Sequence, residues 1–375
     1  MIYLDHNATT PLDPHVKREI ENCFNIFGNP SSTHFFGKQA KEKIELARRS
    51  VADLIGCKPD EVIFTSCGTE SNNMVLKGIV DLKEPEKNHI IISAVEHPSV
   101  LNPAFYLMKL GVKLTVLKVD RYGIVDPDDV RKQIRKETKL ISIMLANNET
   151  GTIEPVEEIG KIGKEYGIPV HTDASQAVGK IPVDVNRLNV DLLTIAGHKL
   201  YAPKGIGALY VRGGIRLEPL LHGGGQEGGL RSGTENVIFS SAFGVACSVA
   251  KRRLKEDMEN MKRMRDRLQE ILFSEIDDLV LNGHPEKRLP NTLNVSVPGI
   301  PGEEVLRGIP EVIASTGSAC HEGKNTISHV LSAMGVEEKV AIGALRFSTG
   351  RTNSMEQIER AAELIISQIK KLRRK

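Results

Sequence analysis

Short apolar runs alternate with helix-period stretches through the first two-thirds of the chain, and this alternation restricts the possible folds more than any other feature. Residues 61–65, 89–93, 113–117, 139–146, 168–172, 191–195 and 207–211 read as strands. Between them, Ile44, Ala47, Val51 and Leu54 share one helical face, with Gly56 placed to end the helix. Val156, Ile159, Ile162 and Gly163 repeat that spacing ahead of Gly167. Strand–helix alternation of this kind predicts an α/β fold whose sheet is mostly parallel and covered on both faces.

After about residue 250 the texture changes. Residues 251–273 read as one long, charged amphipathic helix. Strands at 292–297 and 312–315 follow, then a helix at 326–334, a strand at 345–348 and a terminal helix from Ser354. This is the pattern of a smaller α+β domain. A chain of 375 residues exceeds what one small core organises. The expected division is a large domain over 13–255, and a small one built from 1–12 and 256–375. The glycine-rich run 223–229 reads as a mobile loop.

Fifty basic residues balance 48 acidic ones, for a net charge of +2. That excludes a protein whose whole surface is basic for nucleic acid. The start shows no basic segment followed by an apolar one, so no signal peptide is expected. No apolar run reaches membrane-spanning length. The five cysteines, Cys23, Cys57, Cys67, Cys247 and Cys320, are odd in number and dispersed, with no CxxC pair. They predict neither a disulfide framework nor a local metal site, and the cytoplasm is the natural compartment. The basic tail, residues 370–375, is either a solvated helix end or a dock for an acidic partner protein.

The chemistry begins at Gly197-His198-Lys199, just after a strand. Parallel sheets bind ligands at the carboxyl ends of their strands, and a lysine there can form a Schiff base. Taken alone, a lysine is far more often a surface residue. Asp173 ends the strand before it and can pair with a protonated pyridine nitrogen, or simply cap a helix. Ser66-Cys67-Gly68-Thr69-Glu70 follows another strand and opens a helix, where free N–H groups suit a phosphate. His97 follows a third strand, where an imidazole can stack on a ring and move protons. Cys320 sits among small and polar residues beside His321 and Lys324, a setting for a reactive thiolate rather than a core thiol.

The set resembles the NifS-like cysteine desulfurases of the class V aminotransferase fold, along essentially the whole chain. The resemblance is carried in order by Tyr3-Leu4-Asp5-His6-Asn7-Ala8-Thr9-Thr10, Gly28-Asn29-Pro30-Ser31-Ser32, Thr69-Glu70-Ser71-Asn72-Asn73, Ala146-Asn147-Asn148-Glu149-Thr150-Gly151, His198-Lys199, Arg231-Ser232-Gly233-Thr234-Glu235-Asn236 and Gly317-Ser318-Ala319-Cys320. It implies a fold-type-I transferase of pyridoxal 5′-phosphate (PLP), with a large cofactor domain and a small C-terminal one. It implies that Lys199 carries PLP, Asp173 pairs with the ring nitrogen, Gln176 with the phenolic oxygen, and His97 stacks on the ring. Gly68, Thr69 and His198 would hold the phosphate, with Thr234 reaching in from a second subunit of a homodimer. Asn148 and Arg346 would bind the carboxylate of L-cysteine, with Asn29 nearby. Cys320 would take the sulfur as a persulfide and pass it to an acceptor protein such as a cluster scaffold. Two departures stand out. Ala196 occupies a position where the family often has a hydroxyl. Ala319-Cys320-His321 and the glycine-rich run resemble the sister selenocysteine lyases, which keeps L-selenocysteine open as the substrate.

Overall fold

The computed structural model describes residues 1–316 and 327–374; Cys320 and its flanks lie outside them. In chain order the strands are β1 (Ile2–Tyr3), β2 (Val62–Thr65), β3 (His89–Ser93), β4 (Lys113–Leu117), β5 (Thr138–Ser142), β6 (Val170–Asp173), β7 (Leu192–Ala196), β8 (Gly207–Val211), β9 (Val280–Leu281), β10 (Thr292–Ser296), β11 (Val312–Ile313) and β12 (Ala344–Ser348). Seven of them form one sheet in the order β2-β8-β7-β6-β5-β3-β4. Only β8 runs against its neighbours; the β3–β4, β3–β5, β5–β6 and β6–β7 pairs are all parallel. The carboxyl ends of β2, β3, β5, β6 and β7 therefore open on one edge of the sheet.

The reason is visible in the side chains. Every residue of β2, β3, β6, β7 and β8 is buried, as two-sided cover requires. One face packs on the helix Phe35–Ile55, whose Ile44, Ala47 and Val51 point inward and whose Gly56 closes it in a left-handed conformation, φ 74°. The other face packs on the helices Gly68–Gly78 and Pro98–Lys109 through Met74, Val75, Leu76, Val100 and Leu107.

A second, smaller unit holds the antiparallel sheet β12-β10-β9 and the parallel pair β1–β11. Its core gathers Leu4, Leu268, Leu272, Val295, Phe347, Ile358 and Ile365. The chain's first strand thus packs with its last third. The terminal helix Met355–Arg373 opens with a Ser354–Gln357 capping box. Two of its basic tail residues are taken up within the chain, Lys370 by Glu275 at 2.6 Å and Arg373 by Asp278.

Two expectations need correcting. The long helix starts at Val237, not at residue 251, and runs unbroken to Glu275. Its first half, Ser240, Ala242, Phe243, Gly244, Ala246 and Cys247 among them, is small, apolar and buried against the large sheet's core. It therefore lacks the polar face that marks an amphipathic helix in sequence. Residue 255 falls inside this helix, which adds side chains to both cores. The glycine-rich run is also not uniformly loose. Glu227 within it is buried, takes two hydrogen bonds from Arg48 at 2.7 and 2.8 Å, and accepts a third from the Phe64 N–H at 2.8 Å.

The two long helices meet closely at Gly244. A Cβ there would lie 2.4 Å from Ala47 Cα. Gly244→Ala should therefore lower stability by about 2–3 kcal/mol, as overpacking does. The check is the shift in urea midpoint, and a midpoint equal to the parent's would contradict this packing.

Candidate active site

A cavity of about 350 Å³ opens on the sheet edge where the parallel strands end. Its walls include Asn7, Cys67, Gly68, Thr69, His97, Asn148, Asp173, Ser175, Gln176, His198, Lys199 and Arg346. The volume suits a small cofactor with a substrate.

The strand ends supply the chemistry. Asp173 is the last residue of β6 and lies opposite Thr194 of β7. Its Oδ2 accepts from Asn72 Nδ2 at 2.8 Å and its Oδ1 from the Ser175 N–H at 2.9 Å. Lys199 ends the short turn Gly197–Lys199 that leaves β7. Its Nζ donates to the carbonyl of Asn7, and to that of Ala8 at 2.7 Å. Burial, helped by the charge of Arg346, lowers the Lys199 pKa to about 8. A lysine so shifted loses its proton readily and becomes a nucleophile and base.

His97 caps the helix Pro98–Lys109. Its Nδ1 lies 2.7 Å from Ser99 Oγ and accepts from the Ser99 N–H at 3.1 Å, which leaves Nε2 to carry the proton. Burial lowers its pKa, so the ring is mainly neutral at pH 7. Ser99 Oγ in turn accepts from Asn72, which links His97 to Asp173 through two side chains. The preceding residue, Glu96, is wholly buried, and burial raises its pKa to about 8. It accepts from Ser93 Oγ at 2.6 Å and from the Met144 N–H at 2.9 Å, pinning the His97 loop to the loop after β5.

The helix Gly68–Gly78 aims its N-terminus at the cavity. Its cap residue, Cys67, makes no side-chain capping bond. The first-turn amides are thus open to an anion, as a phosphate site requires. Gly68 is held tightly: an added Cβ would meet Ser175 Oγ at 3.2 Å and Ala196 Cβ at 3.4 Å. A hydroxyl from Ser175 therefore flanks the turn next to Ala196, where the family's usual hydroxyl is missing. His198 stands beside it, with Nδ1 3.2 Å from Thr9 Oγ1 and its pKa lowered to about 4 by burial and by Lys199.

Arg346 projects from β12 of the small sheet. It pairs with Asp5 at 2.7 Å and donates to the Asn148 carbonyl at 3.1 Å, while its buried Nε has no partner among the described residues. Arg346 lines the cavity, and a guanidinium there is suited to a carboxylate. The donor set as a whole fits PLP: an anion end at a helix N-terminus, a carboxylate for the pyridine nitrogen and a low-pKa lysine for the aldehyde.

Two expected residues are not brought here. Asn29 lies outside the cavity, where its Oδ1 accepts from the Ser31 N–H at 2.9 Å. Thr234 lines a neighbouring recess with Thr65, Ser66 and Arg231, and Arg231 pairs with Glu70 of the phosphate turn at 2.9 Å. Cys320 lies outside the described residues. The other four cysteines are free; burial pushes the Cys57 thiol up to about 12 and raises that of Cys247, which suits structural roles. Sequence reasoning missed Asn7, Asn72, Ser175 and Lys180. The first two stood in motifs already noted, but only their long-range contacts give them a role.

One prediction follows from the lysine. In the cofactor-free chain, labelling of Lys199 by an amine-reactive acylating reagent should titrate near pH 8, about two units below exposed lysines. Quantitative peptide mapping across pH checks this, and a midpoint above about 10 would contradict the buried setting.

The aminotransferase class-V family profile matches residues 2–361. The chain is 47% identical to cysteine desulfurase IscS of Dictyoglomus turgidum, over 99% of this chain and 95% of that one. It is 45% identical to the mitochondrial cysteine desulfurase of Arabidopsis thaliana, over 99% of this chain and 83% of that one. Among solved structures, a NifS-like protein superposes with a TM-score of 0.92 at 38% identity, covering 98% of this chain and 99% of the other. SspA in complex with cysteine superposes with a TM-score of 0.81 at 36% identity, covering 94% and 100%. The chain belongs to the PLP-dependent aminotransferase class-V family, in its NifS-like cysteine desulfurase branch.

Proposed function

We propose that the chain is a PLP-dependent cysteine desulfurase that converts L-cysteine to L-alanine and moves the sulfur to Cys320 as a persulfide. The observation that carries this reading is the low-pKa Lys199 at the end of β7, facing Asp173 and an uncapped helix N-terminus across one cavity.

When bound, PLP supplies the electron sink that acidifies the substrate Cα–H and makes the Cβ–S bond labile. The protein residues then divide the work. Lys199 holds the cofactor and, as a free amine, takes the Cα proton. Asp173, fixed by Asn72 and Ser175, stays an acceptor for the ring nitrogen. Gln176 serves the phenolic oxygen, and Gly68, Thr69 and His198 hold the phosphate, with Ser175 in place of the hydroxyl absent at Ala196. Arg346 and Asn148 grip the substrate carboxylate. His97, its Nδ1 held by Ser99 at the cavity wall, stacks on the ring and handles protons of the substrate thiol and product. The Cys320 thiolate attacks the substrate sulfur; the Cβ–S electron pair stays on carbon, and a proton at Cβ together with the return of one to Cα completes alanine.

The same reading extends to the assembly. Residues 13–255 form the cofactor domain, and 1–12 with 256–375 the small domain that carries Cys320. A homodimer lets Thr234 of one subunit reach the phosphate of the other, with Asn29 near the substrate. The persulfide passes to an acceptor protein, such as an iron–sulfur cluster scaffold or a thiolation enzyme, in the cytoplasm. No helix among the described residues is long and apolar enough to cross a membrane. Selenocysteine is a second substrate reading, supported by the lyase-like run around Cys320. The names of the relatives favour cysteine.

The test is direct. Purified protein given L-cysteine should release alanine and carry a persulfide on Cys320, identified by mass spectrometry. Cys320→Ala should lose the modification and slow alanine release at least about tenfold. Undiminished alanine release would overturn the role of Cys320.

A further inference from the structure

Lys180 is a buried lysine that the chemistry above leaves unused. Its side chain is enclosed in the turn after β6, at 5% exposure. Among the described residues no carboxylate forms an ion pair with it. A buried amine without a counter-ion is costly unless its donors are satisfied. Here its Nζ lies 2.7 Å from Gln176 Oε1 and 3.4 Å from Asn7 Oδ1. Both acceptors belong to cavity residues.

A glutamine amide has two ends that differ in hydrogen bonding but scarcely in shape. For Gln176 each end meets a partner that selects it. The oxygen faces the Lys180 donor, and Nε2 donates to the Asn7 carbonyl at 3.0 Å. One N–H of Gln176 is thereby spent and the other is left for a ligand in the cavity. Without Lys180, only the Asn7 carbonyl would select the orientation of the amide, and the oxygen end could turn toward that ligand more easily.

We propose that Lys180 is a positioning residue of the cofactor site: by donating to Gln176 Oε1 and Asn7 Oδ1, it fixes the Gln176 amide with an N–H toward the phenolic oxygen of bound PLP. This rests on the reading that the cavity holds PLP on Lys199. The contact holds in either protonation state, because ammonium and neutral amine both donate. Burial, and then the charges of Lys199 and Arg346, press the Lys180 pKa well below the ordinary lysine value. His6 and His198, which also feel the Lys180 charge, are themselves lowered to about 4 by burial and so are neutral at pH 7. Asp5 and Asp173 act on Lys199 in the opposite sense to Arg346.

The effect is readable in the cofactor's own colour. A donor on the phenolic oxygen competes with that oxygen's hold on the imine proton at Lys199. Removing the donor should therefore tighten that proton. In the PLP-loaded protein, Lys180→Met should raise the pH midpoint of the absorbance titration by about one unit and weaken PLP binding about tenfold. Gln176→Leu should do the same, and the double variant should add nothing further. If Lys180→Met does not fold, Lys180→Gln, one bond too short to reach Gln176, should give the same shift. A midpoint unchanged or lowered in a Lys180 variant that still binds PLP would overturn the proposal, as would additive shifts in the double variant. A parent chain that develops no PLP absorbance at all would instead overturn the site reading beneath it.

Discussion

The parallel pairing of β6 with β7 is the contact on which the site depends. It sets Asp173 opposite Thr194, with the Ala174 N–H donating to the Thr194 carbonyl at 3.0 Å. Because the strands run the same way, both end on the same edge. Lys199 follows three residues after the last residue of β7, so amine and carboxylate face one space. β2 ends on that edge too and feeds the helix whose N-terminus suits a phosphate. Parallel sheets place binding loops at this edge for the same geometric reason. A slip of one residue between β6 and β7 would turn Asp173 to the other face of the sheet.

The second constraint is the N-terminal segment from Asp5 to Thr10. It leaves the small unit through β1 and lines the cavity with Asn7 and Ala8. The Asn7 carbonyl accepts from both Lys199 and Gln176, Asp5 pairs with Arg346, and Thr9 meets His198. The Asn7 side chain adds bonds to Asn291 at 2.9 Å and Thr292 at 2.9 Å. Six residues thus join the large sheet to the small one at the point of reaction. Arg346 and Lys199, the residues proposed to bind substrate and cofactor, are tied through this one short run, although 147 positions (346 − 199) separate them in sequence.

Much of this was legible in the sequence. The alternation of runs located all seven strands of the large sheet, three of them to the residue, because buried parallel strands are apolar throughout. Lys199, Asp173 and the Gly68 turn stood out because each follows a strand. The helix Val237–Glu275 was half hidden, since its first turns are apolar all round and carry no period. Glu227, Asn72 and Lys180 were hidden for a different reason. Each bonds a partner more than a hundred positions away: Arg48 for Glu227, Asp173 for Asn72 and Asn7 for Lys180. Asn29 and Thr234 were expected at the site from the resemblance alone, and within the single chain both lie outside the cavity.

The central claim is that Lys199 is the residue that holds PLP. Reducing the PLP-loaded protein with borohydride, then digesting it and mapping the pyridoxyl group by mass spectrometry, tests it most directly. The account predicts a single label, on Lys199, and loss of that label in Lys199→Ala. A label on another lysine of the parent protein, Lys180 included, would contradict it.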